Sequence, residues 1–491
     1  MSTILVSFAL YTLAIMVVGV YSARYAKRTS SDFLLASRGL GAWVAGLSSA
    51  ASAESGWVTL GLVGISFKTG IGALWIVPGT VLAFLFNWVV IANRLRRTSL
   101  ERGALTIPDV LALPYEGIAA VFIRVSAVLI ILSMLTAYVA AQLNATGKTF
   151  EATFGWSYSV GVLGGASIVL IYTVTGGFRA VSWTDVVQAM LIVGAVLLLP
   201  IVLLVHAGGI FDVWARLQTI EAGSNFTQPF AGKTGMALIG FLAVWLGIPL
   251  GYPGQPHVLI RFMAIQNEAA VRRGAVISTV WVFLVFCGAV GLGIVARAVY
   301  GELPDPEKVL PIAAMDFLPG VLAGLVIAAV LAAICSTADS QLLLSASAVT
   351  HDLYVRLFGR EPDESHRFRA NRLVVLLIGV IATLVAAAEV RTVFDFVLYA
   401  WAGLGAAFGP ALILTLVWHR TTGWGVLSGI LVGFVTAIVW RQTLHYQLYE
   451  LLPAFAFAFA AVVLVSLLTG AHASRRTSIS GRRATSPEKQ G

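Results

Sequence analysis

Charge is what this sequence has least of. Asp, Glu, Lys and Arg together make up 11% of 491 residues, against about 25% in an average soluble domain. Hydrophobic residues make up 58%, and the mean hydropathy is +0.89. Water is therefore not the main solvent of this chain. Cysteine is nearly absent: Cys287 and Cys335 stand alone inside apolar runs, which leaves no pattern for a disulfide framework or a zinc cluster. Segments of about ten residues with alternating polarity are also missing, which excludes a membrane barrel. The sequence has no His-Glu-x-x-His pair, no nucleophile elbow and no phosphate loop, and His257 is a lone histidine placed at a span end. With no polar stretch large enough for a soluble catalytic domain, an enzyme is not expected. The net charge of +9 lies in short loops rather than on one domain, so it points to a lipid bilayer and not to nucleic acid.

Long apolar runs fill the space that charge leaves. Stretches long enough to cross about 30 Å of hydrocarbon as helices fall at 4–23, 40–66, 71–93, 119–144, 158–177, 184–206, 234–256, 274–299, 320–349, 372–388, 394–418, 425–441 and 451–469. The fold class expected is an all-α polytopic membrane protein with about 13 transmembrane helices. The first run has no basic residues before it and is too long for a signal-peptide core, so it is expected to remain as a helix. Basic residues gather in alternate loops: Arg24-Lys27-Arg28-Arg38, Arg94-Arg96-Arg97-Arg102, Arg261-Arg272-Arg273, Arg356 to Arg372, and Arg475 to Lys489. About 24 of the Lys and Arg residues lie on that side and about 8 on the other, which orients the chain N-out and C-in.

Two runs are not uniformly apolar. The second contains Ser48 to Trp57, a small and polar run with Glu54 at mid-span. The seventh contains Gly247 to Pro256, where three prolines and three glycines argue against a continuous helix. Both read as interrupted helices five spans apart, the pattern of an inverted repeat with a binding site at the midplane. The organisation expected is 1–39, first helix and cytoplasmic loop; 40–206, first repeat of spans 2–6; 207–418, second repeat of spans 7–11; 419–470, two peripheral helices; and 471–491, a disordered cytoplasmic tail.

At these residues the chain resembles the sodium:solute symporter family and, within it, the sodium/proline symporters. The resemblance runs through Ser55-Gly56-Trp57, Ser182-Trp183-Thr184-Asp185, Gly254-Gln255-Pro256-His257, Arg261-Phe262-Met263-Ala264, Ala332-Ala333 with Ser336-Thr337, Asp352-Leu353-Tyr354, Ala400-Trp401-Ala402-Gly403 and Phe408-Gly409-Pro410. It implies a LeuT-like five-plus-five inverted repeat with one helix before and two after. It also implies a secondary transporter in the inner membrane, Na+ as coupling ion, and a small amino acid, proline favoured, as solute. Another small amino acid or a carboxylate is the alternative solute, and a sensor or channel on the same scaffold is a more distant reading. The sequence leaves the oligomeric state open.

The resemblance also carries site residues. Sodium takes oxygen ligands, and the family's site maps to the backbone of Ala51, Glu54 and Ala333 and to the hydroxyls of Ser336 and Thr337. Most membrane hydroxyls instead bond back to their own helix. The solute pocket maps to Ser55, Gly56, Trp57, Tyr138, Ile248, Tyr252, Gln255 and Pro256, although Trp and Tyr also mark membrane interfaces. In the proline carriers a Trp stands where this chain has Ile248, which leaves a wider pocket. Those carriers also have Asp where this chain has Ala53 and no acid at the next position. Other symporters of the family have an Ala-Glu pair at this place, so the resemblance keeps sodium coupling open, and a mid-membrane carboxylate is costly enough to be functional by default. Proton coupling through Glu54 competes with sodium coupling. Asp185 and Asp339 are candidates for a second cation site, Asp185 alternatively for a helix N-terminus.

Overall fold

The computed structural model describes residues 2–23, 30–175, 177–220, 225–359, 363–388, 392–444 and 448–483. Arg24, Lys27, Arg28, Arg360, residues 221–224 of the 207–233 loop and the tail beyond Arg483 lie outside the described residues. The described residues are helical, with no strand beyond a single bridge between Leu40 and Ile265. Among the described residues, ten helices are long and apolar enough to cross a membrane, and the shorter apolar helices Thr3–Ile15 and Tyr158–Ile171 accompany them. The chain is a multi-pass membrane protein.

The elements that position the site are few. Helix α1 spans Ser2–Ala23, and α2, Ala42–Ala53, stops at Glu54. The chain resumes as a π-helical stretch, Trp57–Leu62, that runs into α3, Val63–Thr69. Gly70, at φ 71°, turns the chain into the next span. A short helix α4, Ile107–Ala112, precedes α5, Gly117–Phe154, and α6 is Phe178–His206. The second interruption follows α7, Gly235–Gly247: a tight 3-10 stretch Ile248–Gly254, then α8, Pro256–Ala264. Pro256 opens α8 because the first helical position has no intrahelical partner for an N–H. Beyond these come α9, Glu268–Tyr300, α10, Gly320–Ser347, and α11, Val393–Val417. The last helix, α12, runs Leu451–Arg483.

Burial divides these helices. Every residue of α10 from Val326 to Ser347 is buried, and Ala and Ser recur there because small side chains let neighbouring backbones approach. The peripheral α1 instead leaves Leu5, Leu10, Leu13 and Val17 exposed, as a face solvated by hydrocarbon tails requires. Leu40 stitches the two interrupted helices together: its N–H donates to Ala264 O at 3.1 Å and its carbonyl accepts from Gln266 N at 3.0 Å.

The structure departs from the sequence reading in several places. Helix α5 continues past residue 144 to Phe154 because its polar end finds partners inside the protein, Gln142 with Gly56 N and Lys148 with Glu307. Helix α12 continues past residue 470 to Arg483, where extending a formed helix costs far less than starting one. His257, placed at a span end from the sequence, is fully buried.

The second interruption docks on α11 backbone to backbone. A Cβ on Gly254 would lie 2.6 Å from Gly405 O and 2.7 Å from Leu404 O, and neither carbonyl can rotate away. Gly254→Ala should destabilise the protein by about 1–3 kcal/mol through overpacking, read as a lower melting temperature after purification. Gly194→Ala, with nothing within 4 Å of the new methyl, should leave that temperature unchanged or slightly raised.

Candidate ion and solute site

The first break is stabilised by its own neighbours. Glu54 leaves helical geometry at φ −100°, ψ 89°, so the following N–H groups lose their partners. Gln142 Oε1 accepts from Gly56 N at 3.0 Å, and Ser55 Oγ accepts from Trp57 N at 3.1 Å. Gly56 has to lack a side chain, since a Cβ there would lie 2.9 Å from Ala145 Cβ.

Immediately before the break, α2 faces α10 through oxygen atoms. Ser336 Oγ lies 3.1 Å from both Ala51 O and Ala333 O, and Thr337 Oγ1 donates to Ser52 O at 3.2 Å. Four of the five expected sodium ligands, Ala51, Ala333, Ser336 and Thr337, therefore meet at one place, and the Ser52 carbonyl joins them. This donor set fits sodium: the oxygens are hard, neutral, buried and drawn from two facing helices. Glu54 differs from them, because its side chain runs to a neighbouring cavity.

That cavity lies between the two breaks and α11. Glu54, Trp57, Tyr138, Ile248, Tyr252 and Trp401 line it. Tyr252 Oη donates to Glu54 Oε1 at 2.5 Å, which ties one broken helix to the other. Trp401 Nε1 donates to Ile248 O at 2.9 Å. Of the expected solute contacts, Trp57, Tyr138, Ile248 and Tyr252 are on the wall. Ser55 sits behind it, hydrogen-bonded to the Tyr138 hydroxyl, and Gly56 packs against α5. Gln255 and Pro256 are buried outside the lining; Gln255 Nε2 donates to Gly251 O at 3.1 Å and Trp401 O at 3.2 Å.

The two candidate acids of a second cation site do come together, but around a side chain. Arg261 Nη2 donates to Asp185 Oδ2 at 3.1 Å and to Ser340 Oγ at 2.6 Å, and Arg261 Nε donates to Ser48 Oγ at 3.0 Å. Ser48 Oγ in turn donates to Asp185 Oδ2 at 2.6 Å. Asp339 adjoins this group, its Oδ1 accepting from Ser340 Oγ at 3.3 Å. Asp185 lies in the third turn of α6 and does not cap its start. The guanidinium thus supplies the cation between these acids and joins α2, α6, α8 and α10.

Two further ionic clusters were not singled out from the sequence. Glu307 takes Lys148 Nζ at 2.6 Å and Val393 N at 2.9 Å on Oε2, and Phe394 N at 2.9 Å on Oε1. Its chain passes over Gly64, where a Cβ would lie 2.9 Å from Glu307 Cγ. Phe394 stacks on Trp57 with ring centroids 5.7 Å apart, so this cluster reaches the cavity wall through a single ring. At the far end of α10, Asp109 Oδ1 accepts from Arg124 Nη1 at 2.7 Å and Oδ2 meets His351 Nε2 at 2.9 Å. Asp352 Oδ1 shares Arg124 at 2.9 Å. Burial opposes charge on Asp109, but His351 and Arg124 outweigh it and hold its carboxyl well below the ordinary carboxylate range.

Comparison with known proteins follows the same lines. The model of the sodium:solute symporter family matches residues 33–433. The sodium/proline symporter of Salmonella typhimurium is 37% identical over 475 residues, covering 94% of this chain and 93% of that protein. The high-affinity proline transporter PutP of Bacillus subtilis is 38% identical over 454 residues, covering 91% and 94%. Among solved structures, a Na+-coupled sialic acid symporter in a substrate-bound outward-open state superposes with a TM-score of 0.77 at 19% identity, over 95% of this chain and 98% of that one. A nucleobase-cation-symport-1 family transporter in a closed conformation gives 0.54 at 14% identity, over 91% and 96%. These two likenesses concern the fold.

Removing one member of the Arg261–Asp185 pair leaves the other charge buried, at a cost of about 3–5 kcal/mol, whereas an apolar pair of similar volume can be neutral. Arg261→Met alone should therefore lower the melting temperature sharply. The double variant Arg261→Met/Asp185→Leu should recover much of the loss.

Proposed function

This chain belongs to the sodium:solute symporter family, and from that premise we propose that it takes up a small amino acid, proline first, by coupling it to sodium. It is a transporter, and the reading makes it a carrier without catalytic chemistry. The observation that carries the proposal is the oxygen cluster of Ala51, Ala333, Ser336 and Thr337 set beside an aromatic-walled cavity at two helix breaks. The sodium/proline symporters among the similar proteins support both ion and solute.

The ion site proposed is the backbone of Ala51, Ala333 and Glu54 with the hydroxyls of Ser336 and Thr337. Sodium entering there replaces hydroxyl-to-carbonyl hydrogen bonds by ion-to-oxygen contacts on both helices and so joins α2 to α10. Because α2 ends in the break that carries Glu54 and Trp57, fixing its last turn also fixes the adjoining wall of the solute cavity, which couples the two bindings. Trp57, Tyr138, Ile248 and Tyr252 contact the solute, with Ser55, Gly56, Gln255 and Pro256 holding the breaks in shape. Asp185 and Asp339 balance Arg261, and a second cation there would have to displace the guanidinium.

The fuller architecture proposed is a LeuT-like five-plus-five inverted repeat within thirteen spans, N-out and C-in, in the inner membrane. It is supported by a described helix at each of the thirteen apolar runs and by a matching interruption at the start of each half. In this orientation the Glu307–Lys148 contact closes the outer end of the cavity and the Arg261–Asp185 group closes the inner end. Alternating access then consists of releasing one of these ionic contacts while the other holds.

Purified protein in proteoliposomes should accumulate labelled proline when an inward sodium gradient is imposed, and should not when sodium is equal on both sides. Accumulation driven equally well by a proton gradient at zero sodium would overturn the ion assignment. Thr337→Ala should raise the half-saturating sodium concentration at least tenfold, about one lost ligand worth 1.4 kcal/mol, with protein abundance unchanged. Ile248→Trp should narrow the range of solutes that compete with proline; an unchanged ranking of competitors would show that Ile248 does not shape the pocket.

A further inference from the structure

Glu54 is the one acid on the cavity wall, and no described cation balances it. It is 1% exposed. Its Oε1 accepts from Tyr252 Oη at 2.5 Å, while Oε2 has no partner among the described residues. None of the residues lining the cavity carries positive charge. The buried cations among the described residues are already paired, Arg124 with Asp109 and Asp352, Lys148 with Glu307 and Arg261 with Asp185. A buried carboxylate with a free oxygen is costly unless something brings it a hydrogen bond and a charge.

The rest of the wall narrows what that something is. Trp401 gives its N–H to Ile248 O and Tyr252 gives its O–H to Glu54, so these residues offer the cavity ring surface, which attracts cations. Trp57 differs: its Nε1–H is buried and has no partner among the described residues. The wall therefore holds one orphan acceptor, Glu54 Oε2, and one orphan donor, Trp57 Nε1, among aromatic faces. A zwitterion complements both.

We propose that the Glu54 side chain is the counter-ion of the solute, accepting an N–H of its ammonium on Oε2, and that it selects zwitterions whose charged nitrogen still bears hydrogen. This rests on the reading of the chain as an amino-acid carrier and adds the group that recognises the amine. A quaternary ammonium would satisfy the rings but leave Oε2 without a donor, and an uncharged ring would leave the carboxylate unbalanced. The carboxylate of the solute then takes the Trp57 N–H. The side chain is thereby separated from the Ser336–Thr337 cluster, which Glu54 serves only through its backbone.

The test is competition against labelled proline on purified protein in saturating sodium, with three probes: proline, tetrahydrofuran-2-carboxylate, in which an ether oxygen replaces the ring ammonium, and N,N-dimethylproline. Wild type should prefer proline over both others by roughly 100-fold, as expected when a buried charged acceptor is left unpaired. Glu54→Gln should weaken proline roughly 10- to 100-fold while changing the ether within about threefold, and Glu54→Asp should restore part of the preference. Half-saturating sodium, read without solute from the sodium-dependent rise in melting temperature, should not move, since coupling shifts it only when solute is present. Equal binding of proline and the ether by wild type overturns the proposal without need of a variant, as does an unchanged proline-to-ether ratio in Glu54→Gln. A shift in sodium dependence with the ratio intact assigns the side chain to the ion and also overturns it. Trp57→Phe provides the second variant: it should weaken proline and the ether alike, since both keep the carboxylate, and a change in their ratio counts against the proposal. If wild type binds no proline, the solute reading fails separately. The panel is then rebuilt on glycine and its N-trimethyl form, and preference for the trimethyl form defeats the role of Glu54.

Discussion

Hydrocarbon offers no hydrogen bonds, and the rest of this structure depends on that. A helix can be interrupted inside a membrane only where other parts of the protein take over the freed backbone groups. At the first break Gln142 and Ser55 take the N–H groups of Gly56 and Trp57. At the second, the 3-10 turns and Pro256 reduce the number of N–H groups left free. The carbonyls left near the first break are met by Ser336 and Thr337. A polar cluster of this kind has to be enclosed, and the stretch of α10 buried from Val326 to Ser347 and the close-packed α11 enclose it. The apolar surface left over faces outward, where lipid tails accept it.

Much of this was legible in the sequence because the governing patterns are local. Apolar length marks the spans, and Gly247 to Pro256 announces its own interruption. The hydroxyl pair at Ser336 and Thr337 became interpretable through the family resemblance, and its convergence with Ala51 is a matter of two helices 285 residues apart. Ionic partners were not legible. Asp185 and Asp339 could be seen as buried acids, but Arg261, 76 positions from Asp185, counted only as one more basic residue near a loop. Helix α5 was read about ten residues short for the same reason: Lys148 looks like the end of a span until Glu307, 159 positions away, is placed against it. Residues such as Gly64 and Gly254 reveal their purpose only through the atoms a side chain would strike.

The charges inside the protein are placed to join helices that local sequence cannot join. Arg261 contacts α2, α6 and α10 from α8. Arg124 is shared by Asp109 and Asp352, linking α4, α5 and the end of α10. In a medium where apolar surfaces gain nothing by meeting one another, such contacts distinguish one arrangement of helices from its neighbours. They also leave few charges uncommitted, which makes the free oxygen of Glu54 conspicuous.

Glu307 gives this arrangement a temporal character. Its two oxygens hold the first two N–H groups of α11 and the ammonium of Lys148 together, so the three bonds share one carboxylate and cannot be released one at a time by small displacements. Lys148 has a second acceptor in Asp305 Oδ2 at 3.2 Å, but partial withdrawal of Glu307 strands the two α11 N–H groups, which have no other acceptor among the described residues. If the proposed alternating access opens this end of the molecule, the motion is of the two-position kind. Followed one molecule at a time, it would show long dwells separated by abrupt jumps, with the dwell times, not the distance travelled, responding to ions and solute.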